Sequence, residues 1–224
     1  MSDSWAVSPV SLSRAKKYIL EMHYARRMPS VSHCYGLFDT HELRGIVSYG
    51  VPPSPPLVRG ICGAEWASHV IELNRLCLDS DAASNMASFL IAHSIAMLQR
   101  PSIVVAYADT SMGHVGYVYQ ASNFLYTGLS DAHKDWVDNI NPRMHSRHVA
   151  RIHTLPERLS DSDRFRQIDR PRKHRYVLFT GSRKEKRMLE QDLQYPVQPY
   201  PKGSTQRYSI ARPQIEQKEM ALGF

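Results

Sequence analysis

At 224 residues and 42% hydrophobic composition, the chain is long enough to bury one well-packed core with extensions around it. No run of roughly 18 apolar residues occurs, which excludes a membrane-spanning helix, and the opening "MSDSWAVSPVSLSRAKK" lacks the basic-then-apolar order of a secretory signal, so a cytoplasmic protein is expected. The formal net charge of +7 is local: from Arg143 to Arg187, 14 Lys or Arg stand against 5 Asp or Glu, a net +9, and the rest of the chain is at −2.

In chain order, residues 10–21 place Leu12, Ala15, Ile19 and Leu20 near helical spacing behind Ser11 or Ser13 as caps, which predicts a first helix. "SHCYGLFD" and "LRGIVSYG", separated by "THE", predict an antiparallel hairpin. The prolines of "VPPSPPLVRG" predict an extended, irregular loop, since proline lacks a donor and restricts the residue before it. "ASHVIELNRLCL" then reads as a strand and "SDAASNMASFLIAHSIAMLQR" as a helix. "SIVVAYAD" is a near-continuous apolar strand of the kind buried on both faces. A short helix over 114–122, "LYTG" as a turn or short strand, a stretch rich in charge and turn formers from "DWVDNINPR" onward, and a strand "HRYVLF" follow. The expected whole is an α+β domain around a central mixed, mostly antiparallel sheet flanked by helices, spanning 1–187 with the basic segment 143–187. An extended or disordered tail, 188–224, is expected after it.

Three places carry groups that chemistry can use. Where "ELNRLCL" runs through a polar loop into a helix, the helix N-terminus offers unpaired N–H groups to a phosphate, with Arg75 and Ser88 nearby; Asp79 and Asp81 could instead cap that helix. His23 and Tyr24 close the first helix beside Arg26 and Arg27, a pattern that suits either an exposed helix end or a phosphate contact. Asp109 emerges at the carboxyl end of "SIVVAYAD", the edge where open sheets bind ligands, or else it caps the next turn through Ser111 or Gly113. His, Tyr and Asp are an N/O donor set that iron accepts, although their spacing leaves open whether they meet. Tyr117, Tyr119 and Tyr126 are either core aromatics or platforms for a base turned out of a duplex. Cys34, Cys62 and Cys77 are odd in number and lack a CxxC pair, so a disulfide framework and a cysteine zinc site are both set aside.

Taken together, "HYARRMPSVSHCYGLFD", "GIVSYGVP", "ELNRLCL", "ASFLI", "YADTSMGHVGYVYQASNFLYTG" and "KHRYVLF" resemble the bacteriophage Mom family of DNA-modification proteins over about residues 10–180. That family is similar to the GNAT-type N-acyltransferases. The resemblance implies modification of adenine in double-stranded DNA to N6-carbamoylmethyladenine, which shields phage DNA from host restriction enzymes. It implies catalytic roles for Asp109, Tyr24 and Tyr49, an iron set of His23, Tyr24 and Asp109, and contacts from Arg75 and Ser88 to acetyl-CoA or a related acyl donor. It further implies DNA contacts by Arg26, Arg27, Arg172, Lys173 and Arg175, with double-stranded DNA as partner and a homodimer as an alternative to the monomer. One departure stands out: "RLCLDSDAASN" has no glycine where acyltransferases of this type cradle a pyrophosphate. The rival readings are an N-acetyltransferase acting on a protein or small amine, and a nucleic-acid-binding module without catalysis.

Overall fold

The computed structural model describes residues 5–203. Its elements in chain order are β1 (Trp5–Pro9), α1 (Leu12–Met22), β2 (His33–Asp39), β3 (Glu42–Gly50), α2 (Pro55–Gly60), β4 (Val70–Leu78), α3 (Met86–Ala96), β5 (Ile103–Asp109), α4 (Tyr117–Ala121), β6 (Leu125–Leu129), β7 (His133–Asp138), α5 (Ser146–Ile152), α6 (Leu155–Ser160), β8 (Phe165–Arg170), β9 (Lys173–Phe179) and α7 (Arg183–Asp192). They fall into two compact units, which among the described residues are 5–129 with 174–203, and 130–173. Among the described residues no helix is long and apolar enough to cross a membrane.

The larger unit is the expected α+β architecture, a seven-stranded sheet in the order β1-β2-β3-β4-β5-β9-β6. The pairs β1/β2, β2/β3, β3/β4 and β6/β9 are antiparallel, and β4/β5 is parallel. Alternation along β5 builds two cores: Val104, Ala106 and Ala108 pack with Leu90, Ile91 and Ile95 of α3, while Ile103 and Val105 pack with Leu189 of α7. On β3 the same alternation sends Val47 to the α3 cluster and Ile46 to Ala15 and Ile19 of α1.

Two irregularities prepare the site. The β3/β4 register pairs Ser48 with Arg75 and then Tyr49 with Leu73, so Asn74 is an extra residue that shifts the phase of β4. The bulge is pinned, since Ser48 Oγ donates to Asn74 Oδ1 at 2.7 Å and Asn74 Nδ2 donates to Ser30 O at 2.7 Å. The parallel ladder joins Val70–Leu73 to Ile103–Ala106 and stops; beyond it β4 runs on to Leu78 and β5 to Asp109 without pairing to each other. The two strands therefore part at their carboxyl ends.

The structure corrects four expectations. The proline segment is not irregular throughout: Ser54 accepts from Leu57 N at 3.4 Å, and Pro55 and Pro56 occupy the first helical positions of α2, where a missing N–H costs nothing. β1 lay unrecognised at the N-terminal side of the first helix and pairs from Trp5↔Asp39 to Pro9↔Tyr35. The stretch from Asp135 onward, read only as rich in charge and turn formers, contains regular elements, with β7 and β8 antiparallel and α5 and α6 beside them. The chain past 187 stays helical to Asp192, because Ser182 and Glu185 form a capping box and Leu189 is fully buried. Residues 193–203 then run along the sheet, with Gln194 N donating to Ile61 O at 2.8 Å and Gln198 N to Tyr126 O at 2.8 Å; the rest of the expected tail lies outside the described residues.

Candidate active site at the parted strands

Asp109 ends β5 and is 9% exposed. Its Oδ1 accepts from Ser111 N at 3.0 Å and from Ser111 Oγ at 2.6 Å, so it does cap the following turn, and its carboxylate still bears on its neighbours. The turn Thr110–Met112 ends at Gly113 with φ +66°, a conformation that glycine adopts without strain, and His114 N returns to Asp109 O at 3.2 Å. His114 is thereby folded back toward Tyr24, the two rings meeting edge to face at 6.0 Å. Tyr24 in turn stacks on His23, ring centroids 4.3 Å apart.

His23 is the residue that ends α1, yet it is 9% exposed rather than a solvated helix end, and its Nδ1 accepts from Ala25 N at 3.0 Å. Burial first, then the Asp109 carboxylate, push the Tyr24 phenol above the ordinary tyrosine range, while the Arg75 cation opposes them. Burial pulls His114 below the ordinary histidine range against the pull of Asp109. Burial likewise lowers Arg75, with Tyr24 and Glu72 opposing; its guanidinium donates to Arg27 O from Nη2 at 3.0 Å and from Nε at 3.3 Å. Thus the bulge on β4, the end of β5 and the loop after α1 bring Arg75, Asp109, His23 and Tyr24 together, and leave Arg26 and Arg27 exposed beside them.

Other carried-over residues lie elsewhere. Tyr49 is fully buried in the α3 core, its hydroxyl 2.6 Å from Ser94 Oγ, so a direct catalytic contact is ruled out by packing. Ser88 turns its hydroxyl to Asn85 O at 3.0 Å, back into the first turn of α3. Asp79 and Asp81 do not cap α3: Arg44 meets them at 3.3 and 2.7 Å and Tyr18 donates to Asp79 at 2.9 Å. The helix starts instead from Asn85 at φ +72°, with no side chain bonded to its first-turn amides. Arg175 is corrected outright from a DNA contact to a core residue: it is 6% exposed, donates to Thr127 Oγ1 and Thr127 O at 3.0 Å each, and stacks on Tyr195 with its guanidinium carbon 3.4 Å from the ring centre. Arg172 is exposed, with Nε on Ser130 O at 2.6 Å, and Lys173 is half-buried.

Of the tyrosines, Tyr119 and Tyr126 are core, the latter 2.8 Å from His174 Nδ1, and Asn123 holds a turn at φ +60°. His114 and Glu72 are the site residues that sequence reasoning missed. The signal for His114 was present, a histidine one residue past a turn glycine and five past Asp109. Glu72 gave none, because the bulge sets which way β4 side chains point.

The expected iron set is not supported. Among the described residues no three His, Cys, Asp or Glu side chains are placed to hold a metal ion. No step is assigned to iron.

The chain is 28% identical over 209 residues to the methylcarbamoylase mom of Escherichia phage Mu, covering 88% of this chain and 83% of that protein. Among solved structures, the ribosomal-protein-S18-alanine N-acetyltransferase of Escherichia coli superposes with a TM-score of 0.44 at 10% identity, covering 80% of this chain and 97% of that one. A GNAT family acetyltransferase of Elizabethkingia anophelis with acetyl-CoA bound gives 0.41 at 11% identity, covering 80% and 100%. The family model of the Mom protein family matches residues 4–202, and the chain belongs to that family.

Proposed function

We propose that this protein is a DNA-modifying transferase that converts adenine in double-stranded DNA to N6-carbamoylmethyladenine, protecting phage DNA from host restriction. The observation that carries the reading is the meeting of Asp109, Tyr24 and Arg75 where β4 and β5 part, in a chain of the Mom family with a methylcarbamoylase among its relatives. Adenine N6 is a poor nucleophile because its lone pair is delocalised into the ring, and in a duplex it is engaged with thymine. The base must therefore leave the stack before N6 can react.

In this reading each residue has a task. The Asp109 carboxylate, at the carboxyl end of a central strand, accepts the proton from N6 as N6 attacks the donor carbon and the bond from that carbon to its leaving group breaks, the electron pair departing with the leaving group. Tyr24, kept protonated by burial, donates a hydrogen bond to the adenine or to the transferred group. His23 stacks on the Tyr24 ring and fixes its orientation. Arg75 and the uncapped amides that open α3 attract the phosphates of acetyl-CoA or a related acyl donor, without the usual glycine loop. Plain acetyl transfer would leave an amide on N6, whereas the proposed product carries N6 on a CH2, so the donor or a second step must deliver that carbon.

The test is nucleoside mass spectrometry of plasmid DNA from cells expressing the protein. A new deoxyadenosine derivative with the mass of a carbamoylmethyl addition is expected with the wild type, and its loss by roughly a hundredfold or more with Asp109→Ala. Unmodified deoxyadenosine alongside soluble wild-type protein would overturn the reading, and coenzyme A turnover in the absence of DNA would favour an N-acetyltransferase of a protein or small amine.

A further inference from the structure

The smaller unit spends a buried carboxylate on one short turn. Asp138, at the end of β7, is fully buried; its Oδ1 accepts from Ile140 N at 3.0 Å and Arg164 Nε at 3.2 Å, and its Oδ2 from Asn141 Nδ2 at 3.2 Å and Arg164 Nη2 at 3.1 Å. Backbone bonds complete the clamp, with Asn139 N on Arg164 O at 2.7 Å, Asn141 N on Asp138 O at 3.1 Å and Met144 N on Asn141 O at 2.9 Å. The Arg164 guanidinium holds the Asp138 carboxyl well below the usual carboxylate range, so the clamp stays charged at neutral pH. What this machinery presents at its tip is apolar: Ile140 is 68% exposed.

Single exposed apolar residues are ordinary on a protein surface. This one sits at the tip of a turn whose backbone is hydrogen-bonded to a buried carboxylate and its arginine. Its surroundings suit one partner. Asn139 and Asn141 flank it and are exposed, Arg143 follows two residues later, and Arg166 is tied to the turn through Asn139 Oδ1 at 3.1 Å while remaining exposed. An apolar tip between amides and arginines matches a base step between two phosphate backbones.

We infer that Ile140 is a wedge that enters duplex DNA at a base step and partly unstacks it, with Arg143 and Arg166 on the flanking phosphates. The inference rests on the reading of the protein as an enzyme of adenine in duplex DNA. An apolar side chain replaces part of the stacking that the departing base gives up, which shifts the equilibrium toward the open state.

Permanganate oxidation of plasmid DNA detects thymines left unstacked and requires no knowledge of the sequence context. Wild-type protein is expected to raise thymine reactivity at discrete positions. Ile140→Ala is expected to lower it roughly tenfold while its affinity for duplex DNA by gel shift falls less than about threefold, and Ile140→Leu to restore it. No rise with the wild type, equal reactivity with Ile140→Ala, or a loss that only follows affinity would each overturn the inference. The two proposals separate cleanly. Reactivity that depends on Ile140 with no altered nucleoside sinks the modification and keeps the wedge; altered adenine with a permanganate pattern indifferent to Ile140 does the reverse.

Discussion

Protonation at the site is set by burial. His114 is held below its ordinary value of 6.5 because charging it would place a cation in a poorly solvated pocket, and the Asp109 carboxylate offsets that only in part. The sign of the consequence follows from linkage. The unfolded chain binds the His114 proton more readily than the folded one, so stability is fully present above 6.5 and is lost as pH falls from there through the folded value. His174, also lowered by burial, acts in the same direction. Thermal melts of the wild type should show a midpoint that drops as pH goes from 7 toward 5, about the window in which an ordinary histidine takes up its proton. His114→Gln should flatten that drop, and an unchanged slope would show that the ring is solvated. The same burial raises the Tyr24 phenol above the ordinary tyrosine range, which favours it as a hydrogen-bond donor at neutral pH.

The elements show why some of this was legible and some was not. "SIVVAYAD" announced itself because a strand buried on both faces must be apolar at every position, and Asp109 stood out because it broke that run. The prolines of α2 misled because a proline that ends a helix and one that starts it are the same residue in the sequence. β1 is short and lies at the sheet edge, with only partial burial, so its five residues carry no alternation strong enough to read. The bulge at Asn74 could not be read at all, because it is defined by where β3 sits opposite. Yet it is what turns Arg75 toward the loop after α1. Gly50 belongs to the same device: a Cβ there would lie 1.9 Å from Ser30 O and 3.0 Å from Asn74 Nδ2. Gly50→Ala must therefore push the segment between α1 and β2 away from the sheet, and that segment begins with His23 and Tyr24. We expect a loss of stability of about 1–3 kcal/mol in denaturant unfolding, accompanied by a larger relative loss of adenine modification than any core substitution of equal cost. Equal losses in the two would mean that the loop position does not matter to the site.

At the scale of the whole chain, the basic block divides. Residues 143–173 lie in the smaller unit, nine Lys or Arg against four Asp or Glu for +5, and residues 174–187 lie in the larger one, five against one for +4. Charge on paper also overstates charge available to a phosphate. In the smaller unit Arg164 is tied to Asp138, Arg170 to Asp135, and Arg158 is buried over Trp136. In the larger one Arg175 is consumed by Thr127 and Tyr195. These four arginines stabilise their own units, so under the proposed function they would release no counterions on duplex binding. The exposed ones would, and the slope of log K against log salt measures how many. Arg172→Ala should weaken duplex binding uniformly across sequences and lower the magnitude of that slope by about 1, with little change in melting temperature. Arg175→Ala should leave the slope where it was and lower the melting temperature instead, because it strands Thr127 O and unstacks Tyr195 in the core. If Arg175→Ala changes the slope as Arg172→Ala does, the guanidinium reaches the backbone and its burial against Tyr195 is not the state that binds DNA.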